Sequence, residues 1–316
     1  MPASWEPIVI LGPTATGKSD LALILAGRLG GRIINADSIQ VYRGLDVGSA
    51  KPSLEARRAV RHELIDVADP ADPYSAGRFA REASEAIEAA RLDGSIPIVA
   101  GGTGLYLRAL LHGIAPMPQR DEAVRKILYD RAASTSPEEM HRELMELDPE
   151  TAERLGPRDL SRVVRALEVL ALSGVPLSRH IKDHAFETDR LPSLKVGLTM
   201  PREALYRRTD DRVDRIFASG IVEEVRGLLD RGVPAEANAL KALGYREVVA
   251  HLRGELDMAR TIELVKRNTR RYARRQIIWF RREPNVNWFD VSDTDGGLEA
   301  IADSVIAMRT RRHTGG

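Results

Sequence analysis

The sequence predicts an α/β fold: a P-loop NTPase-like parallel sheet wound with helices, carrying a helical insertion and ending in a helical C-terminal part. Three observations lead there. Ile8-Val9-Ile10-Leu11 is an apolar, largely β-branched run that feeds directly into a glycine-rich turn and then a helix-spaced segment. Short apolar runs and helical patterns alternate over residues 1–115, as in a doubly wound sheet. From Pro116 the texture changes, and prolines punctuate helical segments with few strand signals until Lys195. These breaks divide the chain into a first part of the core (1–115), an insertion (116–192) and a return to the core (193–316).

The first strand ends in Gly12-Pro13-Thr14-Ala15-Thr16-Gly17-Lys18-Ser19, which fits G-x-x-x-x-G-K-[ST]. Glycines let the backbone wrap an anion with successive N–H groups pointing inward, and the following helix adds the partial charge of its N-terminus. Lys18 supplies a full charge. The Ser19 hydroxyl is placed to ligate a Mg²⁺ carried by the phosphates. The helix continues through Leu21, Leu25 and Leu29 to Gly30-Gly31.

Arg32 to Ser38 reads as a second strand with Asp37 and Ser38 at its carboxyl end, the end where open parallel sheets bind ligands. Asp37 is thus either a neighbour of the phosphate site or a turn and cap aspartate. His62 to Val67 reads as a third strand, Ala76 to Arg91 as a helix, and Ile96 to Ala100 as a fourth strand. Gly101-Gly102-Thr103-Gly104 then opens another helix; beside a P-loop, this turn forms a second wall of one crevice.

Within the insertion, helices are expected over Asp121–Ala133 and Asp159–Ser173, the second with Val163, Val164, Leu167, Val169 and Leu170 as its apolar stripe. Lys195 to Met200 returns to strand, and Pro201 starts a helix. That helix interleaves Arg207, Arg208, Arg212 and Arg215 with Asp210, Asp211 and Asp214. Ion pairing within a solvated helix accounts for most of them, and one arginine reaching an anion is the functional reading. From Lys266 to Arg282 there are eight basic residues and no acid, with Tyr272, Trp279 and Phe280 interleaved. Repulsion among Arg267, Arg271, Arg274 and Arg275 weakens such a helix, so a polyanion nearby is expected; pairing with acids elsewhere is the plainer reading. Trp279 and Phe280 are expected in the core, and Arg309 to Gly316 is expected to be disordered.

Composition sets the limits. At 316 residues with 43% apolar content the chain buries a full core. It has no cysteine, which excludes disulfides and thiolate–zinc sites and fits a reducing compartment. Residues 1–6 lack the basic and apolar regions of a signal peptide, and no apolar run approaches a membrane span, so a cytoplasmic protein with no membrane partner is expected. The net charge of +1 leaves partner choice to the charge distribution. Pattern alone leaves three classes open: a small-molecule or nucleotide kinase whose insertion is a lid, an RNA-acting transferase or RNA-dependent ATPase, and a non-catalytic P-loop module that senses nucleotide.

At family level the chain resembles the bacterial tRNA dimethylallyltransferases. The matching stretches are GPTATGKS (12–19), NADSIQVYRGLDVGSAKP (35–52), HELIDVADP (62–70), IPIVAGGTGLY (96–106), RALEV (165–169), IVEEV (221–225), KALGYRE (241–247) and NTRRYARRQIIWFRR (268–282). They run in family order over nearly the whole chain. No cysteine–histidine zinc finger follows the basic helix, so the likeness is to the bacterial form.

The resemblance implies that the P-loop, Gly12 to Ser19, holds the diphosphate of dimethylallyl diphosphate and that the dimethylallyl group goes to N6 of the adenosine 3′-adjacent to the anticodon (tRNA nucleotide 37), with Mg²⁺ at Ser19. It implies Asp37 as the base, with Lys18, Arg212 and Thr103 at the reacting centre. By the same likeness Asp37, Ser38, Ile39, Gln40, Thr103, Arg125, Ser161, Arg162, Val163, Val164 and Arg165 contact tRNA, as do Lys241, Ala242, Leu243, Gly244, Tyr245 and Arg246. A monomer is expected. The runner-up is an adenylate isopentenyltransferase acting on free AMP, which shares the P-loop and donor but needs no arginine helix.

Overall fold

The computed structural model describes residues 6–184, 190–292, 294 and 296–314. Among them six strands pair into one parallel sheet: β1 (Ile8–Leu11), β2 (Gly31–Asn35), β3 (His62–Glu63), β4 (Ile96–Ala100), β5 (Leu194–Thr199) and β6 (Val286–Asp290), in the order β3-β2-β4-β1-β5-β6. The first part of the core supplies helices α1 (Lys18–Leu29), α2 (Leu54–Ala59), α3 (Ala76–Leu92) and α4 (Gly104–His112). The insertion supplies α5 (Glu122–Ser134), α6 (Pro137–Leu147), α7 (Pro149–Arg154), α8 (Leu160–Ser173) and α9 (Leu177–His184). After β5 come α10 (Arg202–Ala218), α11 (Ile221–Asp230), α12 (Tyr245–Leu252) and α13 (Met258–Phe280), and after β6 comes α14 (Gly297–Thr314).

The run Ile8–Leu11 forms the sheet's centre because it is apolar on both faces. Val9 and Leu11 pack on one side with Ile34, Val99, Phe79 and Tyr106, while Ile8 and Ile10 pack on the other with Leu21, Leu25, Val196, Ile301 and Val305. All four are fully buried, a burial worth on the order of 10 kcal/mol before entropy is subtracted. Backbone bonds then carry the register past the strand ends. Gly101 N–H donates to the Ile10 carbonyl at 3.2 Å, Ala36 N–H to that of Ala100 at 2.9 Å, and Thr103 N–H to that of Ala36 at 3.3 Å. The loops after β1, β4 and β2 are thereby held side by side. A Cβ on Gly101 would lie 2.1 Å from the Ala36 oxygen, so this close approach needs glycine.

Residues 112–189 form a separate compact unit, in place of the expected 116–192. Its core joins Leu128, Met140, Leu144, Ala152, Val163, Val164 and Leu167. Helix starts follow the sequence signals: Asp121, Ser136 and Asp148 cap α5, α6 and α7 through their side chains, the last two followed by proline at the first helical position. Inside this unit the Glu168 carboxylate is buried and accepts bonds from the Asp121 amide (2.7 Å), Arg125 (3.1 Å) and Arg165 (2.9 Å). In the other unit, Arg190 N–H donates to the Leu111 carbonyl at 2.7 Å, tying together the points where the chain leaves and rejoins the core.

Four expectations are corrected. The strand expected over His62–Val67 stops at Glu63, because Leu64 and Asp66 adopt positive φ (61° each). An unforeseen edge strand, β6, follows the basic helix; its residues are half-exposed on both faces, so the segment lacks the apolar alternation that marks a strand. The segment from Arg309 continues α14 as far as Thr314, because Ile301, Ala302 and Val305 anchor that helix against α1; residues 315–316, like Met1–Trp5, lie outside the described set. Phe280 is core, as expected, but Trp279 is 41% exposed, since only every third or fourth residue of α13 faces inward.

Candidate active site

The turn after β1 wraps tightly. Ala15 (φ 66°) and Gly17 (φ 90°) are left-handed, and Gly17 caps α1. Gly12 has φ 141°, and a Cβ there would meet the Leu198 oxygen at 2.4 Å. The Pro13 carbonyl accepts from the Thr16 hydroxyl (2.9 Å) and from the Lys18 ammonium (2.7 Å), which draws the lysine back over its own loop. Thr14, Ala15, Gly17, Lys18 and Ser19 line a crevice of about 480 Å³ whose far walls are Asp37, Gly101, Gly102, Arg208, Arg212 and Arg215. The second glycine-rich turn is therefore a wall of the same crevice, as its sequence predicts.

A second cavity of about 540 Å³ adjoins it, lined by Ser38, Ile39, Ala242, Leu243, Gly244 and Arg246 with Arg271 and Arg275 of α13. Thr14, Asp37, Arg212 and Tyr272 border both spaces, so they stand where the two meet. Asp37 both lines the P-loop crevice and caps its own turn. Its Oδ1 accepts from the amides of Ile39 (2.8 Å) and Gln40 (3.3 Å), which fixes the carboxylate at the junction of the two cavities. Thr103 sits one step back: its hydroxyl accepts from the Ser38 amide at 3.0 Å and so braces the loop that carries Asp37.

Charge is concentrated on the cradle. Withdrawal from bulk water, aided by repulsion from Arg212 and opposed by Asp37, lowers the Lys18 pKa to about 7. Burial also weakens proton binding by Arg212, which Asp37 counters; an arginine stays cationic under such a shift. Two acids of α10 pair across to α13 instead of along their own helix: Asp210 with Arg270 at 2.6 Å and Asp214 with Lys266 at 2.7 Å. That exchange leaves Arg208, Arg212 and Arg215 turned to the crevice. Arg271, Arg274, Arg275, Arg281 and Arg282 are exposed.

Several residues singled out for RNA contact have other duties. Val163 and Val164 are fully buried in the insertion's core, so their side chains are shut off from any RNA. Arg125 is buried against Glu168, and Arg165 bridges Glu168 and the Pro118 carbonyl. Ser161 and Arg162 are exposed on the same helix, with Arg162 paired to Asp159. Gln40 is 8% exposed and spends its amide on the Ser49 and Ala50 carbonyls. Tyr245 is fully buried, its hydroxyl donating to Glu224 at 2.8 Å, while Lys241 and Arg246 are exposed. Glu224 also accepts from the amides of Asp46, Val47 and Gly48, which shapes the loop after β2.

Sequence reasoning missed Gln276 and Tyr272 of α13. The inward positions of this helix are Thr261, Val265, Thr269, Ala273, Gln276 and Phe280; a glutamine on that stripe was the available signal. A divalent cation has a modest donor set here, the Ser19 hydroxyl and the Asp20 carboxylate at the crevice. This suits Mg²⁺, which keeps several waters and takes one or two protein oxygens beside substrate phosphates.

The IPP transferase family model matches residues 40–283, from the loop that follows Asp37 through the insertion and α13. The chain belongs to the IPP transferase family. An isopentenyl transferase model matches residues 6–69 alone, the stretch around the P-loop and Asp37. Among curated IPP transferase relatives, the tRNA dimethylallyltransferase of Geobacter metallireducens is 49% identical over 301 residues, covering 95% of this chain and 96% of its own. That of Thermomicrobium roseum is 49% identical over 303 residues, covering 95% and 91%. The full-length tRNA isopentenylpyrophosphate transferase of Bacillus halodurans superposes with a TM-score of 0.72 at 36% identity, covering 98% of each chain. A eukaryotic dimethylallyltransferase acting on tRNA gives 0.76 at 28% identity, covering 98% of this chain and 78% of its own. Membership in the IPP transferase family makes the chain a prenyltransferase, which removes the kinase and the non-catalytic readings of its P-loop.

Proposed function

We propose that this IPP transferase moves the dimethylallyl group of dimethylallyl diphosphate to N6 of the adenosine 3′-adjacent to the anticodon, in tRNAs that read U-initial codons. The observation that carries the reading is Asp37 at the junction of an anion cradle and a second cavity edged by arginines. The diphosphate lies in the cradle, and the adenine enters through the second cavity after leaving its stack.

The exocyclic nitrogen of adenine is a poor nucleophile because its lone pair is delocalised into the ring. It attacks the carbon that carries the diphosphate; the N–C bond forms as the C–O bond breaks. The Asp37 carboxylate takes the proton released from nitrogen, and the diphosphate leaves with the bonding electron pair. Charge growing on that leaving group falls among the P-loop amides, Lys18 and Arg212. Bound Mg²⁺, held from the protein side by Ser19 with Asp20, would neutralise part of the same charge. Thr103 keeps the Asp37 loop in place. In the core unit, Ser38, Ile39, Lys241, Ala242, Leu243 and Arg246 meet the anticodon loop with the exposed arginines of α13; in the insertion, Ser161 and Arg162 are tRNA contacts, and Arg125 and Arg165 act through the Glu168 cluster. We further propose that the enzyme works as a monomer in the cytoplasm; no described helix is long and apolar enough to cross a membrane.

Labelled dimethylallyl diphosphate, Mg²⁺ and unmodified tRNA decide the matter. The label should pass to tRNA and not to AMP. Transfer to AMP in preference to tRNA would establish the free-nucleotide reaction, and no transfer to either would refute the proposal.

A further inference from the structure

The cradle and the second glycine-rich turn are the two sides between which the transferred group must pass, and their tips meet in one side chain. Gln276, 5% exposed on α13, accepts a hydrogen bond from the Thr14 amide at 2.8 Å through Oε1. Through Nε2 it donates to the Gly102 carbonyl, also at 2.8 Å. The partners fix the orientation of the amide, since a flipped group would set N–H against N–H and oxygen against oxygen. Gly102 is followed directly by Thr103, whose hydroxyl holds the Ser38 amide, and Tyr272, one turn before Gln276 on α13, borders both cavities. A chain of bonds therefore runs from the phosphate cradle to the residue beside Asp37.

We propose that Gln276 is a positioning residue of the transfer reaction, setting the distance between the diphosphate cradle and the loop that carries Asp37. The inference rests on the prenyl-transfer reading above. Gly102 provides an independent handle on the same contact. It has an ordinary φ, and a Cβ built on it lies 2.4 Å from Gln276 Nε2. Gly102→Ala therefore displaces the glutamine without straining the backbone, and Gln276→Met removes both bonds while keeping the side chain's length. The amides that follow Thr14 are touched by neither change, and the Cβ of Gly102→Ala meets Lys18 Nζ only at an ordinary contact distance of 3.8 Å.

The test compares wild type, Gln276→Met, Gly102→Ala and the double variant. It measures kcat, KM for tRNA and for dimethylallyl diphosphate, and the affinity for inorganic diphosphate by calorimetry. Misplacing reacting groups by about an ångström costs on the order of 100-fold, so each single variant should lose about 30- to 100-fold in kcat. KM for tRNA and diphosphate affinity should stay within about 3-fold. Because both changes break one contact, the double variant should be no more than about 3-fold worse than the poorer single one. Either variant keeping kcat within about 3-fold of wild type would overturn the proposal. So would losses that multiply in the double variant, or a fall in diphosphate affinity as large as the fall in kcat. If the wild type itself transfers nothing, the prenyl-transfer reading fails and takes this one with it; a competent wild type with unaffected variants sinks Gln276 alone.

Discussion

Raising the pH through neutrality should weaken donor binding by an amount set by one lysine. Burial, with Arg212 nearby, lowers the Lys18 pKa to about 7, so the free cradle holds a charged lysine below that pH and a neutral one above it. If only the charged form accepts the diphosphate, apparent KM rises in proportion to the inverse of the charged fraction. That fraction falls from about a quarter at pH 7.5 to about a hundredth at pH 9, so KM for dimethylallyl diphosphate should climb by about 20-fold over this range. Donor ionisation does not confuse the reading, because terminal phosphate groups lose their second proton near pH 6. The assay is initial-rate transfer at saturating tRNA and Mg²⁺, with donor concentration varied at each pH. Lys18→Arg, cationic at every pH used, should weaken binding by a constant factor and flatten the profile. A wild-type KM that stays level from pH 7.5 to 9 would show that Lys18 keeps its proton in the free enzyme or does not serve the diphosphate.

Replacing Asp37 by alanine should leave tRNA affinity within a few-fold in a filter-binding titration while the single-turnover transfer rate falls about 10²- to 10⁴-fold; a rate near wild type would move the proton elsewhere. Glu168→Ala leaves Arg125 buried without its partner, which should cost about 3–5 kcal/mol in urea unfolding followed by a probe in the insertion. Burial alone would raise the Glu168 pKa, but bonds from Arg165, the Asp121 amide and Arg125 hold it below the usual glutamate range. The stability it adds is present above the unfolded-state pKa and disappears as the pH drops through the folded one, so wild-type stability should fall on strong acidification by more than that of E168A. Lys241→Ala with Arg246→Ala should raise KM for tRNA several-fold and reduce its salt dependence, leaving KM for the donor alone.

The residues that build the central sheet and the cradle announce themselves locally. A buried strand, a glycine pattern and a helix occupy adjacent positions in the chain, so Ile8 to Leu29 could be placed before any coordinates. Asp37 was visible as a carboxylate at a strand end, but its position between two cavities depends on β2 lying beside β4, which no local pattern encodes. The duties of Arg125, Arg165, Gln40 and Tyr245 were hidden for a related reason. Each is a polar or aromatic residue with a partner elsewhere in the chain: Glu168 for Arg125, Pro118 for Arg165, Ser49 for Gln40 and Glu224 for Tyr245. The basic helix shows the same limit from the other direction. Its charge predicted an anion, yet Lys266 and Arg270 answer to acids of α10, and the residue most deeply committed to the site is its uncharged Gln276.

The hydrogen bond between Arg190 and Leu111 has a consequence for how such a chain can be elaborated. Pairing β1 with β5 closes a very long loop, with Ile10 opposite Val196, and the insertion lies within it. Closure entropy grows only with the logarithm of length, so the roughly 80 residues of the insertion raise the cost of that pairing by only about 0.5 kcal/mol. Because the chain leaves and rejoins the core at neighbouring points, the insertion can grow, shrink or be exchanged without rethreading a strand. The unit that carries the P-loop is thus topologically indifferent to the length of the insertion.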